Sequence, residues 1–178
     1  MSVAPRVVLV GPMGSGKSAV GALLAADLGV QLRDTDADVE AVAGRPVSVV
    51  FAEEGEPAFR ALERAAVVDA LAEHTGVVSL GGGSVLDDGT RADLVALRSP
   101  VVLLTATWEH VRDRLGDTSS RPVLSGGPGG AAGAEARWRE VMAAREKHYA
   151  EVADHVVPTD GRTARAVADV VLRLLAAG

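Results

Sequence analysis

The sequence contains no cysteine, which excludes disulfide bonds, thiolate nucleophiles and thiolate metal sites. Aromatic residues are also scarce, at two Trp, one Tyr and two Phe, so the core must be built from Val, Leu and Ala. With no thiolate available, a metal ion is expected to be held by oxygen ligands, as Mg²⁺ on a nucleotide is.

Two further absences limit the partners and the location of the chain. The net charge is −6, whereas nonspecific nucleic-acid binding needs a basic surface that releases counterions from phosphate. No apolar run approaches the roughly 18 residues that a membrane span requires, and residues 1–6 are too short and too polar for a signal peptide. We therefore expect a cytoplasmic protein, a monomer, that binds neither nucleic acid nor membrane.

Alternating strand and helix patterns predict the fold. Short apolar runs rich in β-branched residues are typical of buried parallel strands. They occur at 7–10, 77–80 and 101–104, with a further strand expected around 31–33 and a short apolar piece at 155–157. Helical patterns cover 17–28, 59–73, 90–97, 108–115, 134–150 and 162–175. This order predicts an α/β fold, a three-layer sandwich around a parallel sheet, formed as one domain by residues 1–178.

The clearest motif is Gly11-x-x-x-x-Gly16-Lys17-Ser18, which follows an apolar run and opens a helical pattern. Its glycines let successive backbone N–H groups point at a phosphate, and the helix N-terminus adds positive potential. We expect Lys17 to bridge the β- and γ-phosphates of ATP and the Ser18 hydroxyl to bind Mg²⁺. The alternative, a glycine turn that only caps a helix, fits the motif poorly. The residues predicted to contact the nucleotide in this loop are Gly14, Ser15, Gly16, Lys17, Ser18 and Ala19.

The segment Asp34-Thr35-Asp36 follows the second expected strand. Acidic residues at the carboxyl end of a strand in this class of sheet lie at the ligand crevice. Alternate side chains of an extended segment point to opposite faces, so the two carboxylates can do different work. One would hold the water shell of the metal, and the other would orient an acceptor hydroxyl and take its proton. Alone, the pair would more often be turn chemistry; the nearby phosphate loop favours the functional interpretation.

Two patterns suit the acceptor side of the site. Phe59-Arg60-x-x-Glu63 places Arg60 and Glu63 one helical turn apart, either as a surface ion pair or as a carboxylate clamp that Glu63 holds rigid. Gly81-Gly82-Gly83 ends a strand, where a backbone without side chains can approach a ligand closely and donate N–H groups to it.

Residues 116–133 are rich in Gly, Ser and Pro and are expected to form an active-site lid. Arg121 in this segment would stabilise charge in the transition state when the lid closes. Arg145-x-x-x-Tyr149 adds another arginine on the following helix. Taken alone, either arginine would more often be a solvated surface residue.

In this order and at this spacing, the motifs resemble those of the shikimate kinases from about residue 7 to residue 171. The resemblance implies a nucleoside-monophosphate-kinase-like P-loop fold with a five-stranded parallel sheet. It implies transfer of the ATP γ-phosphoryl group, with Mg²⁺ as cofactor, to the 3-hydroxyl of shikimate. That step lies on the route to chorismate and the aromatic amino acids.

The resemblance also implies a role for each matching residue. Asp36 would bind the acceptor hydroxyl and act with Lys17 and Arg121 as a catalytic residue. Asp34 would support Mg²⁺ through water, beside Ser18. The substrate would be bound by Asp36, Arg60, Gly82, Gly83 and Arg145. Outside the phosphate loop, the nucleotide would be contacted by Arg114, Arg121 and Arg162.

Two alternatives compete with a shikimate kinase. The first is another small-metabolite kinase of the same fold, such as a gluconate kinase, whose substrate is also a hydroxy acid. The second is a catalytically silent nucleotide-binding protein. The acidic pair, the glycine run and both arginines favour shikimate, and the presence of every residue needed for phosphoryl transfer argues against a silent protein.

Overall fold

The structure is a computed structural model that describes residues 4–115 and 130–177. Its centre is a five-stranded sheet in the order β2-β3-β1-β4-β5, with every neighbouring pair parallel. The strands are β1 Val7–Val10, β2 Leu32–Asp34, β3 Val77–Ser79, β4 Val101–Thr105 and β5 His155–Pro158. The predicted parallel sheet is therefore confirmed.

Helices cover both faces of the sheet. They are α1 Lys17–Leu28, α2 Thr35–Ala43, α3 Val47–Glu73, α4 Asp88–Ala96, α5 Trp108–Leu115, α6 Gly130–Val152 and α7 Ala164–Ala177, with a short 3₁₀ helix at Ser84–Leu86. Alternate residues of β1 point to opposite faces, so Val7 and Leu9 pack with α1 and α7 while Val8 and Val10 pack with α3, α4 and α6. The predicted three-layer sandwich follows from this alternation.

Helix α2 was not predicted, and it corrects the expectation that Asp34-Thr35-Asp36 is extended. Asp34 has extended backbone angles and caps the helix, because its side chain accepts a hydrogen bond of 3.0 Å from the backbone N–H of Asp36. Thr35 and Asp36 already belong to the first turn. The extended conformation therefore ends at Asp34, because Asp is a favoured N-cap residue and here it starts a helix.

Other element boundaries also differ from the prediction. Helix α3 begins at Val47, twelve residues before the predicted 59, and it bends at Gly55, just before Pro57. Strand β3 ends at Ser79, so Leu80 already lies in the turn that follows. Helix α6 begins at Gly130, so the last part of the predicted lid, residues 130–133, is helical. The rest of the predicted lid, with Arg121, lies outside the described residues.

The two tryptophans pack against each other, with ring centroids 6.0 Å apart, and join α5 to α6. A separate small cluster of Val39, Val50, Phe59 and Ala66 joins α2 to α3 beyond the edge of the sheet. None of the described helices combines the length and the apolar character needed to cross a bilayer.

Candidate active site

A cavity of about 340 Å³ opens at the carboxyl ends of β1, β2 and β3. This is where ligands bind in open α/β sheets. Its walls come from the phosphate loop, the start of α2, helix α3, the glycine turn Gly81–Gly83, and one arginine each from α5 and α6. The predicted site residues that line it are Gly14, Gly16, Lys17, Ser18, Ala19, Asp34, Asp36, Arg60, Gly82, Gly83, Arg114 and Arg145.

The phosphate loop connects β1 to α1, and its glycines are needed for its shape. Gly16 stands at the N-cap of α1 with a φ of 91°, in the left-handed region that favours glycine. Lys17 folds back over the loop, and its Nζ donates to the carbonyl oxygens of Gly11 at 2.7 Å and Pro12 at 3.0 Å. Two carbonyl oxygens of the loop itself therefore hold the ammonium group.

Ser15 is the one predicted phosphate-loop residue that does not line the cavity. Its side chain is fully buried, and its Oγ has no hydrogen-bond partner among the described residues. Its backbone N–H donates to the Pro12 carbonyl at 3.3 Å. Any contact between Ser15 and a nucleotide would therefore be made by its backbone.

Two oxygen atoms that could bind a metal ion, one from Ser18 and one from Asp34, lie close together beside the phosphate loop. Ser18 Oγ donates to Asp34 Oδ2 at 3.1 Å, which joins the start of α1 to the end of β2. Hydroxyl and carboxylate oxygens are ligands that suit Mg²⁺, which usually keeps several waters and takes the rest of its shell from phosphates. The described residues contain no group of three or more acidic or histidine side chains that would form a complete protein cage. The donor set therefore fits a metal that arrives with a nucleotide.

Arg60 and Glu63 form the ion pair that their spacing indicates. Arg60 Nη1 lies 2.6 Å from Glu63 Oε2, and the exposed Glu56 holds Nη2 of Arg60 at 3.0 Å. The guanidinium also lies over the rings of Phe59 and Phe51, at 5.2 and 6.0 Å from their centroids. This geometry fits a clamp held rigid from several sides better than a loose surface pair.

Burial raises the pKa of Glu63, against the opposing effect of Arg60. Asp36 raises this pKa further, whereas Arg145 lowers it, so all four charged groups surround one end of the cavity. A methyl group on Gly81 would lie 2.6 Å from Asp36 Oδ1 and 2.7 Å from Glu63 Oε1. The two carboxylates and the glycine turn are thus in close contact.

Arg145 lines the same end of the cavity from α6, and Tyr149 on the same helix contacts the glycine turn. Both side chains are almost fully buried, and the Tyr149 hydroxyl donates to the Gly82 carbonyl at 2.6 Å. Burial raises the pKa of Tyr149 to about 12, although the neighbouring Arg145 guanidinium opposes the shift. Arg145 is therefore a buried cation at the cavity wall, which excludes the alternative of a solvated surface residue.

Arg114 and Arg162, which were both expected to contact the nucleotide, lie in different surroundings. Arg114 Nη1 donates to the Gly14 carbonyl at 3.2 Å and to Thr159 Oγ1 at 3.3 Å, so it borders the phosphate loop. Arg162 is exposed and does not line the cavity. The loop before it is held by Asp160, which accepts hydrogen bonds from the backbone N–H and the hydroxyl of Thr107.

The sequence predicted no site residue in the first half of α3, yet Val47 and Phe51 of that half line the cavity. They lie in the first half of α3, and Phe51 stacks on Phe59 with ring centroids 4.6 Å apart. The bend of α3 at Gly55 brings this half over the site. No local motif predicts that this half of α3 lies over the cavity. The only sequence signal is Gly55 close to Pro57, which indicates a bend in the helix.

Comparisons with known proteins agree with this geometry. The family model for shikimate kinase matches residues 13–176. The shikimate kinase of Streptomyces avermitilis is 50% identical over 171 residues, which cover 96% of this chain and 95% of that protein. That of Salinispora arenicola is 49% identical over 175 residues, covering 98% of this chain and 100% of that protein.

Solved structures show the same likeness. A shikimate kinase from Acinetobacter baumannii in complex with shikimate superposes with a TM-score of 0.89 at 31% identity, covering 99% of this chain and 95% of that one. A gluconokinase from Sinorhizobium meliloti shares the fold alone, with a TM-score of 0.59 at 19% identity, covering 99% of this chain and 94% of that one. On the match of the family model and the identity to these relatives, the chain belongs to the shikimate kinase family.

Proposed function

We propose that the chain transfers the γ-phosphoryl group of ATP to the 3-hydroxyl of shikimate, giving shikimate 3-phosphate and ADP. Membership of the family makes it an ATP-dependent small-molecule kinase. The observation that carries the assignment of roles is that one cavity is lined by the phosphate loop, Asp36, the glycine turn and the two arginines Arg60 and Arg145.

The donor half of the reaction is assigned to the phosphate loop. Lys17 would exchange its bonds to the Gly11 and Pro12 carbonyls for oxygens of the β- and γ-phosphates. Mg²⁺, held by Ser18 and through water by Asp34, would neutralise charge on the phosphates. The loop's backbone N–H groups and the N-terminus of α1 add positive potential at the same place. The position of Arg114 supports a further contact with the nucleotide beside Gly14.

The acceptor half is assigned to the opposite wall. Shikimate carries one carboxylate and several hydroxyls, and the wall offers Arg60 and Arg145 for the carboxylate. Asp36 would orient the 3-hydroxyl and accept its proton as the bond to phosphorus forms. Backbone N–H groups of Gly82 and Gly83 would bind other substrate oxygens. As the bond from the acceptor oxygen to the γ-phosphorus forms, the bond from that phosphorus to the β–γ bridging oxygen breaks. The acceptor proton would pass to Asp36, and the electron pair of the broken bond would stay on ADP.

The proposal extends to the state of the protein in the cell. We infer a cytoplasmic monomer that binds neither nucleic acid nor membrane, on the basis of its charge and composition. Light scattering after gel filtration tests the monomer, since a second copy would double the measured mass.

An activity assay with two acceptors, and a control without acceptor, tests the identity of the substrate. The purified chain with ATP and Mg²⁺ is expected to form ADP with shikimate, but not with gluconate or with no acceptor. Phosphorus NMR then identifies the product as the 3-phosphate. Phosphorylation of gluconate in place of shikimate would refute the assignment in favour of the other kinase. ATP binding without turnover on either acceptor would favour the silent protein.

Removal of Mg²⁺ by a chelator is expected to abolish turnover, and full activity without metal would contradict the proposed role of Mg²⁺.

A further inference from the structure

The backbone of the glycine turn Gly81–Gly83 is held by hydroxyl groups from two distant segments of the chain. The N–H of Gly81 donates to Thr35 Oγ1 at 3.0 Å, across 46 positions of sequence. The Tyr149 hydroxyl donates to the Gly82 carbonyl at 2.6 Å, across 67 positions. Both side chains are almost fully buried, so water does not compete for these bonds.

The two hydroxyls connect the glycine turn to the elements that carry Asp36 and Arg145, two charged residues of the cavity wall. Thr35 precedes Asp36 at the start of α2, and Tyr149 lies one helical turn after Arg145 on α6. A shift of the turn relative to α2 or α6 would therefore change its distance from a carboxylate or from an arginine. Neither bond uses the N–H groups of Gly82 or Gly83, the two glycines that line the cavity.

We propose that Thr35 and Tyr149 are positioning residues for shikimate, which hold the glycine turn at the spacing from Asp36 and Arg145 that the substrate requires. This inference rests on the proposed function. In the proposed reaction, the two hydroxyls do not touch the reacting atoms. They act through the turn, because a ligand held between fixed donors on several elements loses affinity when one donor is displaced.

Ser84 provides a matched control on the same turn. Its buried hydroxyl donates to the Gly81 carbonyl at 2.8 Å, but that carbonyl also accepts from the backbone N–H of Ser84 at 3.1 Å. Ser84→Ala therefore removes a buried hydroxyl bond while the turn keeps a donor at the same atom. Unlike the other two bonds, this one lies within a single local segment and does not connect the turn to a distant element.

The experiment compares steady-state kinetics of Tyr149→Phe, Thr35→Val, Thr35→Ser and Ser84→Ala with the wild type, using shikimate and ATP as varied substrates. We expect Tyr149→Phe and Thr35→Val to raise the KM for shikimate by roughly three- to tenfold, with the KM for ATP unchanged. Thr35→Ser keeps the hydroxyl and is expected to restore the wild-type KM. Ser84→Ala is expected to resemble the wild type.

Three outcomes are distinguishable. If the wild type does not phosphorylate shikimate, the proposed function fails and the inference fails with it. If the wild type is active but the KM for shikimate is unchanged in both variants, only the inference is overturned. A lower melting temperature with equal changes in both KM values, or with a loss of kcat alone, would show that the hydroxyls serve only the stability of the fold.

Discussion

Glu63 holds Arg60 from within the same helix, with 2.6 Å between Oε2 and Nη1, while it is itself only 3% exposed. Arg60 has a second acidic partner, Glu56, at 3.0 Å, but that residue is exposed. The buried carboxylate fixes the guanidinium in one direction, because a buried bond between charges is stronger than a solvated one.

Glu63→Gln is expected to raise the KM for shikimate about tenfold, equivalent to about 1.4 kcal/mol, because the amide carries no charge to hold Arg60. Glu56→Gln is the control, since an exposed pair contributes little. Steady-state kinetics with shikimate as the varied substrate measure the KM of both variants. Equal effects of the two changes would contradict the special role of the buried partner.

The same variant tests the raised pKa of Glu63. Burial raises that pKa above its ordinary value of 4.5, so the folded chain binds this proton more tightly than the unfolded chain. The associated stabilisation is present below pH 4.5 and is lost as the pH rises through the raised pKa. From pH 4.5 upward through the raised pKa, the free energy of unfolding should therefore fall more in the wild type than in Glu63→Gln. Urea titrations across this pH range measure the free energy of unfolding. If that free energy changed with pH equally in the wild type and in Glu63→Gln, the raised pKa of Glu63 would be contradicted.

Gly83→Ala is expected to damage substrate binding more than folding. A methyl group there would overlap the guanidinium of Arg60, whereas the backbone, with a φ of −96°, accepts an alanine. The guanidinium would be displaced from its buried partner Glu63, so some stability is lost together with the clamp. The expected result is a KM for shikimate raised by about tenfold or more, with a lower melting temperature in a protein that still folds.

Gly89→Ala is the control for that substitution, because its methyl group would lie 3.1 Å from Arg64 Nη2, at the start of α4 and away from the cavity. A large loss of stability in Gly83→Ala with an unchanged KM would show that the displaced group is not the clamp.

Asp36→Asn is expected to lower kcat by roughly 10²- to 10⁴-fold, the usual worth of a general base, and to leave ATP binding unchanged. Asp38→Asn, two residues further along α2, removes a carboxylate that pairs with Arg33 at 2.6 Å outside the cavity. It should retain turnover. Calorimetry with ATP completes the test: loss of ATP binding in Asp36→Asn would assign the residue to the nucleotide site.

Arg114→Ala is expected to raise the KM for ATP several-fold more than Arg162→Ala, with the KM for shikimate unchanged in both. Arg114 lines the cavity and donates to the phosphate loop, whereas Arg162 is exposed outside it. Kinetics with ATP as the varied substrate check this order. An equal or larger effect of Arg162→Ala would favour the expectation that it contacts the nucleotide directly.

Much of the site could be predicted because its motifs are local. A glycine loop between a strand and a helix has one common use, and the Arg60–Glu63 pair needs only helical spacing. Where a local pattern was ambiguous, the prediction was wrong. Asp34-Thr35-Asp36 fits both a strand end and a helix cap, and the cap prevails because Asp34 accepts the N–H of Asp36.

The sequence by itself determined the fold class, the phosphate loop and the family, since each depends on residue type at short spacing or on ordered motifs. Only the tertiary structure decided how the acceptor wall is assembled. The bend in α3 brings Phe51 over the site, and buried hydroxyls of Thr35 and Tyr149 hold the glycine turn from 46 and 67 positions away. Such contacts depend on how the elements pack around the sheet, and no local pattern in the chain encodes them.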